Sequence, residues 1–167
     1  NDFKKAKEIL LGLANKNILD PTVYLNLAFI NLQKGEIDEM QEILIKAVKL
    51  GIRNTEIFTN LGNIFFQKRN FDQAIIFFKE AINSKPDNFN VQYNLGCLFI
   101  EKKDYANAKN FLKNALKINP NFAKAYNNLG TIYQFQGDLN TAEIYFLRAL
   151  KINPMNLSTL TNLALLF

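Results

Sequence analysis

Along this chain, apolar residues recur at helical spacing in blocks of about a dozen residues, and short polar turns separate the blocks. The turns "KGEID", "KRNFD", "KKDYA" and "QGDLN" each fall between two such blocks. The pattern predicts pairs of antiparallel helices and an all-α protein.

One period governs the pattern. Gly62, Gly96 and Gly130 are 34 residues apart, and so are Pro86, Pro120 and Pro154, Ala74, Ala108 and Ala142, and Ala47, Ala81, Ala115 and Ala149. The second helix of each pair is expected to start after an N-cap: Asp2, Asn70, Asp104 and Asp138, with Glu36 a weaker substitute. Gln73 and Glu39, three residues past their caps, are expected to close capping boxes. The prolines stand just beyond the second helices, where a missing N–H costs nothing and the chain must turn. Gly62, Gly96, Gly130 and Ala28 are expected to face Ala81, Ala115, Ala149 and Ala47 and let paired helices approach.

The order of large residue, Leu-Gly, aromatic, Ala, aromatic, Ala and Pro, as in Tyr126, Leu129, Gly130, Tyr133, Ala142, Phe146, Ala149 and Pro154, resembles the tetratricopeptide repeat. The resemblance implies an α-solenoid, a right-handed superhelix of about ten helices. It divides residues 1–167, as a single array, into the second helix of a preceding repeat (2–17), full repeats at 21–54, 55–88, 89–122 and 123–156, and the first helix of another at 157–167. Departures are local. Gln92 replaces a large apolar residue, Met40 an alanine, Asn31 an aromatic, and "LGIRN" (50–54) the proline turn, so the joint between 21–54 and 55–88 is expected to be looser, or differently angled, than the others.

A fifth column is polar: Asn26, Asn60, Asn94, Asn128 and Asn162. With 24 asparagines in the chain, five in one chosen column would arise at odds of about 6 in 100,000, or a few in a thousand over all columns. At about 100° per residue, Asn128 points roughly 150° from the core side defined by Tyr126, Leu129, Gly130 and Tyr133. In the resembled family that outer stripe lines the concave groove, and the row resembles the asparagine ladder of O-linked N-acetylglucosamine transferases. A carboxamide can pair with the C=O and N–H of any peptide unit. Helices about 8–10 Å apart would let one asparagine per repeat grip roughly every third residue of an extended chain. The competing reading is that the amides bond a neighbouring helix and keep the repeats in register.

The stripe also carries Asn63, Tyr93, Asn127, Phe66 and Phe135, together with Thr59, Cys97, Ile100 and Thr131, and only Glu56, Glu101 and Lys124 add charge. Leu25, Phe29 and Leu165 lie toward its ends. A carboxylate clamp of the kind the resemblance implies for chaperone adaptors would place Asn63, Asn94 and Lys124 correctly, but Thr59 and Asn128 stand where cations belong. The expected partner is therefore a protein or peptide segment held through its backbone.

Composition narrows the chemistry. With no histidine, two serines, one cysteine and no glycine-rich phosphate loop, the usual nucleophile and base pairs cannot be assembled, and no cofactor or metal is expected. The acids Glu36, Asp38, Glu39 and Glu42 sit where a helix N-terminus favours negative charge. The formal charge of +5 is modest; Lys109, Lys113 and Lys117 line one helix face, read as a solvated face rather than a nucleic-acid surface. No apolar run approaches the roughly 18 residues of a membrane span, so neither nucleic acid nor membrane is expected as a partner. Leu160, Leu163, Ala164 and Phe167 form an apolar face on the last helix through which the chain could self-associate. Two functions share the ladder: an interaction scaffold, or the substrate-presenting part of a larger enzyme such as a glycosyltransferase.

Overall fold

The structure is a computed structural model that describes residues 2–166. The side chain of Asp2 and the whole of Phe167, both named in the expectations above, lie outside the described residues. The chain divides into two compact units, Asn1–Pro86 and Asp87–Phe167. The first holds α1 (Asp2–Asn15), α2 (Pro21–Gln33), α3 (Ile37–Lys49), α4 (Thr55–Gln67) and α5 (Phe71–Ser84). The second holds α6 (Phe89–Glu101), α7 (Tyr105–Ile118), α8 (Ala123–Phe135), α9 (Leu139–Ile152) and α10 (Leu157–Ala164). The helices pair as the period predicts: α2 with α3, α4 with α5, α6 with α7 and α8 with α9. α1 ends at Asn15 rather than 17, because Asn17 turns into the left-handed region at φ 53°.

Each pair buries the apolar stripe that predicted it. In the first unit Tyr24, Leu27, Leu44, Ala47, Ile57 and Leu61 join one core. In the second, Leu112, Ala125, Leu129 and Ile132 form another. Burying each Leu or Ile side chain contributes about 1.5–3 kcal/mol before entropy is counted. The exposed face of α10 carries Leu157, Leu160 and Leu165, and Leu163 is half-buried.

The caps of the second helices form at Asn70, Asp104 and Asp138, which accept from the backbone N–H of Gln73, Asn107 and Thr141 at 3.3, 3.1 and 3.1 Å. Glu36 makes no cap. Its carboxylate instead takes a bond from Lys7 Nζ at 2.7 Å, which holds that carboxyl below its usual range. The expected capping boxes do not close: the N–H of Asn70 donates to Phe65 O at 2.9 Å and that of Glu36 to Asn31 O at 2.9 Å, so neither is left for Gln73 or Glu39.

First helices have a cap column of their own. Asp20, Asn54, Asn88 and Asn156 accept from the N–H groups of Thr22, Glu56, Asn90 and Thr159 at 2.9, 2.9, 3.1 and 3.0 Å. Phe122 breaks this column and gives α8 no side-chain cap. Its ring instead meets Tyr93 and Phe89 edge-on, with centroids 4.9 and 5.1 Å away.

One packing expectation is corrected. The nearest groups to the glycine notches are the larger residues Phe78, Leu112 and Phe146, not Ala81, Ala115 and Ala149. The glycines make room for a side chain to enter rather than for two backbones to touch. At 50–54 the chain makes a closed turn in place of the proline exit: Gly51 adopts φ 85°, Gly51 N–H bonds Val48 O at 3.0 Å, and Ile52 N–H bonds Ala47 O at 3.1 Å. This is the Schellman pattern, and Ile52 is buried beneath it.

Candidate functional site

In the second unit, the first helices α6, α8 and α10 carry Asn94, Asn128 and Asn162, all half-buried. Their neighbours Leu95, Gly96, Leu129 and Gly130 are buried, which turns the asparagine edge away from the core. Asn128 Nδ2 donates to Tyr93 Oη at 3.4 Å and lies 3.3 Å from Cys97 Sγ. Asn162 Nδ2 donates to Asn127 Oδ1 at 3.1 Å and to Thr131 Oγ1 at 3.4 Å. Each amide thus reaches back to the preceding first helix. The two bonds at 3.4 Å are long, in the range where a hydrogen bond weakens. Among the described residues no group donates to Asn128 Oδ1 or Asn162 Oδ1. The amino half serves the register; the carbonyl half remains an acceptor.

Tyr93 and Cys97 stand one turn apart on α6 and are half-buried. Burial pushes the Tyr93 phenol and the Cys97 thiol above their ordinary ranges. A thiol so shifted is largely protonated near neutral pH and a poor nucleophile. Thr131 spends its hydroxyl proton on Asn127 O at 3.1 Å. The result is a strip of amides and hydroxyls, with the charges of Glu101 and Lys124 felt at the thiol.

The predicted residues divide into two groups. Tyr93 and Asn128 form one bonded set with Cys97, and Asn127 and Asn162 form a second with Thr131. Asn94 is engaged within the chain, as is Asn63 of the first unit. Lys124 is exposed at the start of α8. Phe135, 66% exposed, stacks on Tyr105 at 6.2 Å, at the turn end of α8. In the first unit Asn26 is exposed, Asn60 is half-buried, and Phe66 leans on Phe71 at 6.0 Å beside the turn between α4 and α5. The first-helix caps escaped the sequence reading although they repeat at the same 34-residue period.

Sequence patterns of the tetratricopeptide repeat match residues 21–50, 55–88 and 123–156, and a further pattern described as TPR repeat matches 96–137. Among solved structures, the chain is similar to YrrB, described as a TPR protein with an unusual peptide-binding site, at 17% identity and a TM-score of 0.84 over 96% of this chain and 83% of that one. It is similar to MamA at 24% identity and a TM-score of 0.83, over 92% and 90% of the two chains. The first TPR of Spaghetti, bound to the HSP90 peptide SRMEEVD, matches at 22% identity and a TM-score of 0.64, over 67% of this chain and 89% of that one. No curated protein matches the chain.

Proposed function

Since the chain belongs to the tetratricopeptide repeat family, we propose that it is a non-catalytic protein-interaction scaffold, and that the first helices of its second unit hold an extended peptide through Asn94, Asn128 and Asn162. The observation that carries this reading is the divided role of Asn128 and Asn162, whose amino groups brace the preceding helix while their carbonyl oxygens stay available on a half-buried polar strip. Acceptors fixed in this way suit the N–H groups of an extended chain, and they read no side chain. Two similar structures are described by peptide binding, YrrB and the Spaghetti repeat, which adds support. With Thr59 and Asn128 in place of clamp cations, the row favours a peptide's interior backbone over a cluster of terminal carboxylates.

Pull-down of partner proteins with the Asn94→Ala, Asn128→Ala double variant tests the reading. The variant should lose most captured partner while its unfolding free energy falls by no more than about 2 kcal/mol, about 1 kcal/mol for the bonding of each amide within the chain. Full capture by the variant overturns the proposal. A stability loss several times larger assigns the row to register alone.

A further inference from the structure

The fold splits the lysine ridge of α7. Lys109 donates to Gln136 Oε1 at 3.0 Å and lies 4.9 Å over the Tyr133 ring, so its charge is already placed. Lys113 and Lys117, one and two turns further on, meet Arg148 and Lys151 of α9 around two hollows of about 670 and 310 Å³. The hollows share Tyr126 and Arg148 and so form one cleft between α7, α8 and α9. Among the described residues, no carboxylate lines either one. Four cations in a concavity without counter-charge focus the field outward and attract anions.

We propose that this cleft binds an acidic peptide segment, with carboxylates on Lys113, Lys117, Arg148 and Lys151 and an apolar side chain seated against Pro120 and Ile152. The surface is distinct from the asparagine strip and goes beyond the function proposed above. Arg148 supplies the planar fork that takes a carboxylate in two bonds, and the lysines supply mobile point charges. The aromatic floor favours a peptide over nucleic acid. Tyr145 stacks on Tyr133 at 5.3 Å, has the Arg148 guanidinium 6.0 Å from its centre, and is met by Tyr126 at 6.2 Å. Rings engaged in this way offer no platform for nucleobases. The apolar wall of Pro120 and Ile152 answers a hydrophobic side chain and has no use for a sugar-phosphate backbone.

Fluorescence anisotropy on the full chain, with a fluorescein-labelled oligoglutamate peptide carrying a central leucine, tests this at about 0.15 M salt. The peptide should bind saturably, and Arg148→Gln with Lys151→Gln should weaken it about tenfold, as expected for losing two charge pairs. Both positions are exposed, and glutamine is a good helix former, so circular dichroism should be unchanged. Lys4→Gln with Lys5→Gln removes the same charge from α1 and should change binding by less than about twofold. The asparagine-row variant should also bind normally, which separates failure of this proposal from failure of the first. Equal losses in the α1 control, undiminished binding by the cleft variant, or no binding by the unaltered chain would overturn the proposal. Tighter, cleft-dependent binding of a labelled oligothymidine would assign the surface to nucleic acid instead.

Discussion

A β-carbon built on Gly130 would lie 2.5 Å from Cε1 of Phe146, so the glycine's empty side is where the ring sits. Phe146 is fully buried and cannot swing away. Gly130→Ala should therefore destabilise the protein by about 1–3 kcal/mol through overpacking, although alanine is the better helix former by about 1 kcal/mol. Gly96→Ala should cost less, because the group it meets is the flexible Leu112, with Cγ 2.7 Å away. The first unit already holds the combination of Ala28 and Leu44 at the equivalent places, both buried. Urea denaturation of the two variants checks the order.

Lys103 ends the turn after α6 with φ 59°, where the equivalent turns after α2 and α8 use Gly35 at φ 73° and Gly137 at φ 79°. A side chain there crowds the following carbonyl. Lys103→Gly should raise stability by about 0.5–1 kcal/mol, the relief of strain exceeding the added freedom of the unfolded chain. Gly137→Lys should do the reverse. Thermal unfolding of both variants would reveal the opposite signs.

Gln92 occupies a place held by Tyr24, Phe58 and Tyr126 in the other repeats, and its Oε1 is buried without a partner. An unmet carbonyl in the interior costs about 1–3 kcal/mol. Gln92→Met keeps the side-chain length and removes the polar atom, so the variant should gain about 1 kcal/mol in chemical denaturation. A loss would mean that the amide is satisfied in solution.

The Cys97 thiol predicts a pH dependence. Burial raises its folded pKa above the ordinary 9.0, so the folded state keeps a proton that the unfolded chain releases. The unfolded state then binds fewer protons, and stability must fall as pH rises above about 9. Tyr93, raised in the same direction from 10.0, adds to the decline at still higher pH. Urea midpoints measured between about pH 8 and pH 10 should drop more steeply for the native chain than for Cys97→Ser. Parallel curves would remove the thiol from the account.

The repeat made much of this fold legible, because each structural role is written several times at one spacing. The helix pairing, the caps at Asn70, Asp104 and Asp138 and the proline exits follow from that column logic. What fills a glycine notch does not, since facing across two helices depends on their crossing and not on distance along either one. The capping boxes failed for a similar reason: Phe65 and Asn31 carbonyls claim the cap N–H groups once the turn has closed. The outward direction of the asparagine row was readable from the helical wheel, but the bonds from Asn128 and Asn162 to the preceding first helix needed coordinates. The cationic cleft was half visible as the α7 ridge; Arg148 and Lys151 join it only through tertiary packing.

The chain uses asparagine in two trades, and slow hydrolysis in water would age them differently. At the first-helix caps, conversion of Asn54, Asn88 or Asn156 to aspartate would go unnoticed, because Asp20 already performs that task as an acid. At Asn128 and Asn162 the same conversion would delete a brace and leave an anion against a phenol or another amide. An old preparation would keep its helices while its asparagine strip decayed.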